Sequence, residues 1–270
     1  MNANRTLSLA IMSGKGGVGK TNVALNLGYA LRDLGLRTLL MDCDLGLANL
    51  DVLLGISPDR NLQDLLRSDV DPSDVVLSLE GGGLDILPAA SGVPELVEMD
   101  EDVQDVLFRK LVRLVSSYEV LMLDLGAGIS NTVLSFASMA QMRIVIVTPE
   151  PTSLTDGYAM MKVLRAQHGV NDFCVVVNQT SSQAEAKQTF ERLAMACKNF
   201  LGIEIVSLGS IRHDPNVVEA VRRQEPLLKI APNAPASKDI QALADKVRRY
   251  RETNLERIAA RPVMKQFPSF

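Results

Sequence analysis

The sequence predicts an α/β fold, a single doubly wound, mostly parallel sheet with helices on both faces. Two observations carry that expectation. Short runs that are apolar on both faces recur along the chain, and stretches with helical spacing separate them. A glycine-rich loop follows the first run and opens the first helix, which is where sheets of this kind bind ligands.

The strands, in order, are LSLAIM from Leu7, RTLLMD from Arg37, LDILPA from Leu84, EVLMLD from Glu119, RIVIVT from Arg143, FCVVVN from Phe173 and IEIVSLG from Ile203. Apolar side chains fill both faces of these runs, as strands buried between two helix layers require. The first helix carries Val23, Ala24, Leu27, Ala30, Leu31 and Leu34 as one apolar stripe, and Gly35 supplies its stop. The same spacing predicts helices over 102–117, 130–141, 153–168, 183–200 and 236–260. EGGGLD, Glu80 to Asp85, reads as a turn because a strand follows at once. Without a low-complexity linker or a repeat, residues 1–250 are expected to form one domain, with 251–270 as a basic amphipathic helix end and tail.

At 270 residues and 47% apolar, the chain can bury a sizeable core. Its formal charge of −4 argues against a surface that is basic all over, and so against general nucleic-acid binding. Cys43, Cys174 and Cys197 are odd in number and far apart, which excludes a disulfide framework and a CxxC metal pair and suits a reducing cytoplasm. The lead MNANRT and the run LSLAIM are too short for a signal peptide, and no apolar run approaches the ~18 residues of a membrane span.

GKGGVGKT, Gly14 to Thr21, matches the pattern GxxxxGKS/T between the first strand and the first helix. Consecutive glycines, here Gly16, Gly17 and Gly19 around Val18, let backbone amides turn toward phosphate oxygens at a helix N-terminus. Lys20 is then placed for the β- and γ-phosphates and Thr21 for magnesium. A magnesium nucleotide also needs a carboxylate at a neighbouring strand end, and VLMLD supplies Asp124. MDCDLG supplies Asp42 and Asp44, two residues apart and so on one side of an extended chain; one of them could orient the attacking water, and Asp42 joins the candidate metal set. Capping of the next helix is the competing reading of either aspartate.

With Lys15 inside the loop, aspartates on two strand ends and TPEPTSLTDGYAMMKVL from Thr148, the chain resembles the MinD/ParA family of ATPases from about Leu7 to about Val247. The resemblance implies ATP and Mg2+ as cofactors, weak hydrolysis without a stimulating partner, and a homodimer closed by ATP. By the same resemblance Lys15 is the lysine that crosses to the partner's phosphates. Asp44 falls on the water-activating aspartate, Asp124 on the magnesium-linked one, and Asn178 on the asparagine that reads the adenine edge. Asn178 also suits capping of the next segment. Asn22 stands where a second threonine is common, and Arg212 where many relatives place a proline against the base.

DCDLGLANLDVLLGI from Asp42 and DLGAGIS from Asp124 are most similar to the flagellar-number regulators of the FlhG (FleN) group. That resemblance implies control of flagellar number or placement. The partners it implies are an FlhF-type GTPase, a flagellar switch component or a transcription activator. A MinD-like positioning role in cell division is the alternative. An iron–sulfur reductase on the same scaffold would need cluster-holding cysteines, and none lies between Cys43 and Cys174. A DNA-segregating ATPase would need a basic surface. A ligase of small molecules on the same scaffold would need a substrate pocket beside the γ-phosphate. Toward the C-terminus Leu243, Val247, Leu255 and Ile258 keep helical spacing among Lys246, Arg248, Arg249, Arg251, Arg257 and Arg261. This pattern serves either a last helix packed on the sheet or a peripheral membrane contact, with Phe267 and Phe270 as candidate anchors.

Overall fold

In a computed structural model, residues 5–44, 50–67, 69–89 and 101–263 are described. Phe267 and Phe270 lie outside them. An eight-stranded sheet has the order β3-β4-β2-β5-β1-β6-β7-β8. Its strands are β1 (Leu7–Ser13), β2 (Thr38–Cys43), β3 (Leu77–Ser78), β4 (Leu84–Leu87), β5 (Val120–Ala127), β6 (Met142–Val147), β7 (Cys174–Thr180) and β8 (Val206–Arg212). All pairings are parallel except β3 with β4. The expected doubly wound, mostly parallel sheet is therefore the observed one.

The side-chain period of two splits β1 between two cores. Leu7, Leu9 and Ile11 face α1 (Lys20–Asp33) and α9 (Pro235–Thr253), whereas Ala10 and Met12 face the layer containing α4 (Asn131–Met139), α5 (Pro151–His168) and α6 (Gln183–Ala196). The chain winds from β1 toward β2 and β4 on one side, and through β6, β7 and β8 on the other. The carboxyl ends of β1, β2 and β5 thus meet where the winding reverses, the position at which open α/β sheets hold ligands.

Three elements depart from expectation. The run from Ile203 becomes a strand only at Val206. Ile203 and Ile205 are buried in the core beside α6, so their apolarity serves packing before pairing starts. The helix expected over 236–260 breaks at Asn254, whose side-chain Nδ2 donates to the Tyr250 carbonyl at 2.8 Å, and resumes as α10 (Leu255–Ala259). The helix expected over 183–200 stops at Ala196 and runs into a π turn over Cys197–Leu201. Short elements were not anticipated: α2 (Leu50–Leu54), the β3 hairpin arm, α8 (Leu227–Ile230) and 3₁₀ turns at Leu62–Leu66 and Pro72–Val75. None is long enough to show a period. α3 (Glu101–Val115) and α7 (Pro215–Arg223) complete the set.

Beyond residue 250 the chain still packs on the sheet. Arg251 is 8% exposed and donates to the carbonyls of Glu119 and Arg5, Ile258 and Val263 are buried, and Ser8 Oγ donates to the Val263 carbonyl. No described helix is long and apolar enough to cross a membrane.

α5 approaches β6 through Gly157, where an added Cβ would lie 2.9 Å from Val147 Cγ1. Gly157→Val should force the helix off the strand and cost about 1–3 kcal/mol. The expected result is a lower urea midpoint with an unchanged denaturant slope.

Candidate nucleotide-binding site

β1 ends at Ser13 and α1 begins at Lys20, so residues 14–19 reverse the chain at the carboxyl end of the central strand. Two of the turns demand glycine, since Gly17 has φ 78° and Gly19, the N-cap of α1, has φ 84°. Gly14 is required for a different reason. A Cβ there would sit 2.2 Å from the Asp156 carbonyl carbon of α5, so the loop seats directly against that helix. Ser13 Oγ donates to the Lys15 carbonyl at 3.0 Å and Asn178 Nδ2 to the Val18 carbonyl at 2.8 Å. With those carbonyls held, the amides of Gly16, Gly17, Val18 and Gly19 have no acceptor among the described residues. A concave set of free amides at a helix N-terminus is an anion cradle.

Lys20 is the buried cation of the site, 7% exposed, and its Nζ lies 2.8 Å from Asp124 Oδ1. Asp124 lies within the buried run of β5 and is 1% exposed. Burial raises its carboxyl above the usual value, while the Lys20 ammonium and the Thr21 hydroxyl pull it back down. Thr21 Oγ1 is 3.4 Å from Lys20 Nζ. Lys20, Thr21 and Asp124, far apart in the sequence, form one cluster.

Asp42 lies opposite Asp124 in the β2–β5 register. Its Oδ1 accepts the Asp44 amide at 2.9 Å and its Oδ2 the Leu50 amide at 3.5 Å, so one carboxylate holds both the residue after β2 and the first residue of α2. Asp44 is half-buried, and a Cβ on Gly126 would stand 3.5 Å from its carboxyl. It also raises the Asp124 carboxyl by repulsion, which places both charges in one electrostatic neighbourhood.

Lys15 occupies a different setting. Its Nζ lies 2.5 Å from Glu150 Oε2 and 3.0 Å from Thr152 Oγ1 at the start of α5, with the lysine side chain 37% exposed. Asn22 turns its Oδ1 down α1 to Asn26 Nδ2 at 3.3 Å. Arg212 makes a two-point pair with Asp239 at 2.8 Å and donates to the Pro235 carbonyl. Asn178, by contrast, stands against the loop, 2.6 Å from where a Cβ on Gly19 would be.

Glu150, Thr152 and the backbone of Asp156 are site residues that sequence reasoning did not single out. A carboxylate just past the end of RIVIVT was visible, but nothing in a linear reading pairs it with a lysine 135 positions earlier.

Residues 9–227 match the family described as the CobQ/CobB/MinD/ParA nucleotide binding domain. The antiactivator FleN of Pseudomonas aeruginosa is 41% identical over 239 residues, 88% of this chain and 85% of that protein. The flagellum site-determining protein YlxH of Helicobacter pylori is 32% identical over 252 residues, 90% of this chain and 82% of its own. Among solved structures, MinD of the Aquifex aeolicus MinC:MinD cell division complex superposes with a TM-score of 0.71 at 28% identity, covering 90% of this chain and 96% of that one. MinD of Pyrococcus horikoshii complexed with Mg-ADP superposes at 0.69 with 26% identity and the same coverage. The amide cradle, the buried lysine–aspartate pair and these likenesses agree: the chain belongs to the CobQ/CobB/MinD/ParA nucleotide-binding family and is an ATPase of its MinD/ParA branch.

Proposed function

We propose that the chain is an ATP- and magnesium-driven dimerisation switch that regulates the number or placement of flagella. The observation that carries the switch is the separation of two lysines. Lys20 is buried in the cradle, whereas Lys15 stands at its half-exposed edge with a partner that can be exchanged. A cation that leaves Glu150 for the phosphates of a second copy would supply positive charge in trans, as an arginine finger does, and would make hydrolysis depend on dimerisation.

The residues present fit magnesium bound together with a nucleotide. No group of three or more His, Cys, Asp or Glu among the described residues could hold a metal alone, and magnesium takes few protein carboxylates when phosphates complete its shell. Thr21 and Asp124 would hold it on the protein side, with Asp42 shaping the strand end. When bound, the ion neutralises charge on the β- and γ-phosphates. Asp44 would orient the attacking water and accept its proton.

The flagellar reading draws on the relatives named for flagellar regulation. Of the partners considered, an FlhF-type GTPase, a switch component or a transcription activator, the description "antiactivator" favours the last. A cytoplasmic location with peripheral membrane contact through the C-terminal end is part of the same proposal. A MinD-like division role is the second reading, favoured by the MinD neighbours in structure.

Lys15→Ala should leave nucleotide binding by the monomer intact while abolishing the ATP-dependent dimer and hydrolysis. Size exclusion with light scattering checks this, and a wild-type chain that stays monomeric at saturating non-hydrolysable ATP sinks the mechanism. Asp44→Ala should slow hydrolysis by about 10²-fold or more yet still dimerise with ATP, accumulating the closed form. Glu150→Gln removes the partner that competes for Lys15. Because exposed pairs contribute at most about 1 kcal/mol and a dimer releases one in each copy, dimerisation should shift to protein concentrations lower by up to about thirtyfold in a sedimentation titration.

A further inference from the structure

The strand ends opposite the phosphate loop border a second cavity, of about 620 Å³. The carboxyl end of α1 lines it with Tyr29, Arg32 and Asp33, and Arg37 enters just before β2. Glu80 to Gly83, the turn between β3 and β4, form the facing wall, and α8 adds Lys229. A volume of this order is that of a small-molecule pocket.

The charges of this cavity do not cancel. Arg32 is held by Asp33 at 2.8 Å and Lys229 by Glu80 at 2.9 Å. Arg37 donates its backbone amide to Glu119 Oε2 at 3.1 Å, but its guanidinium has no ion pair among the described residues. One cation is therefore in excess. A second, Lys229, sits in an exposed pair of the kind that exchanges readily. Excess positive charge in a concave site concentrates anions there.

Tyr29 points the same way by a different observation. It is 7% exposed, with the Arg32 guanidinium 4.7 Å from its ring centroid, yet its hydroxyl has no hydrogen-bond partner among the described residues. A phenol so nearly buried ordinarily finds one. Burial raises its pKa above the usual value, while Arg32 and Lys229 draw it back down, so both cations act on this group. The turn opposite is built to leave the space open. Gly81, Gly82 and Gly83 have φ of 88°, 68° and 81°, and a Cβ on Gly83 would stand 3.0 Å from Arg32 Cγ. A side chain there would press on the cation that covers Tyr29.

We infer that this cavity binds a phosphorylated small molecule, with Arg37 and Lys229 on the phosphate and the Tyr29 hydroxyl donating to one of its oxygens. Two cations and a phenol suit a dianion, which favours a phosphomonoester over a carboxylate. The Asp33 and Glu80 carboxylates then accept from hydroxyl groups on the rest of the molecule.

Calorimetric titration of the full chain, kept saturated with Mg-ADP so that the phosphate loop is occupied, tests this with ribose 5-phosphate and, as the control without phosphate, ribose. Ribose 5-phosphate should bind at one site per chain and ribose should give no saturable heat. Arg37→Ala should weaken ribose 5-phosphate by about tenfold and Tyr29→Phe by about threefold. Both variants should keep the melting temperature and the Mg-ADP affinity of the wild type, since neither the guanidinium nor the hydroxyl has a side-chain partner to lose. The absence of saturable binding by ribose 5-phosphate overturns the inference, as does equal binding of ribose. Unchanged affinity in both variants overturns it too, because the sugar phosphate is then bound elsewhere.

Discussion

The buried pair between Lys20 and Asp124 is the interaction on which the site depends. One charge comes from the first residue of α1 and the other from within β5, so their attraction fixes the helix start to the strand that flanks β1. Two ions taken out of water are costly to keep, and removing either alone leaves the other uncompensated, typically at about 3–5 kcal/mol. Such a pair is therefore poor as a stability device and effective as a positioning one. It holds an ammonium that water hardly reaches, so the lysine's own desolvation is complete before a phosphate meets it.

The loop does not hold its shape unaided. α5 blocks any side chain at position 14, Ser13 fixes the Lys15 carbonyl, and β7 supplies Asn178 to the Val18 carbonyl. These contacts consume the carbonyls and leave the amides for a ligand. The same walls account for the different settings of the two lysines. Lys20 points along α1 into the buried cluster, and Lys15 leans outward onto the start of α5. A change at α5 would thus reach the loop through both Gly14 and Lys15.

At the opposite end of the strands, buried arginines do the joining. Arg143, 5% exposed, donates to the carbonyls of Ala137, Ser138 and Ala140 and pairs with Asp172, satisfying the end of α4. Arg251 ties α9 to the turn before β5. Several of the basic positions that make the C-terminal sequence look amphipathic differ in exposure for this reason. Arg251 is spent inside the protein, whereas Arg248 bridges Asp245 and Glu252 at the surface.

Much of the fold was legible because buried parallel strands must be apolar on both faces, and a glycine loop between strand and helix has few other uses. LSLAIM, GKGGVGKT and VLMLD alone determined a phosphate cradle, its lysine and a carboxylate at a strand end. Those are local properties, written in spacing and residue type. Only the tertiary structure decided that β5 lies beside β1 and so brings Asp124 to Lys20, that Glu150 holds Lys15, and that Arg212 pairs with Asp239. It also decided that β7 commits Asn178 to the Val18 carbonyl. Such pairings depend on strand order, which leaves no period in the chain.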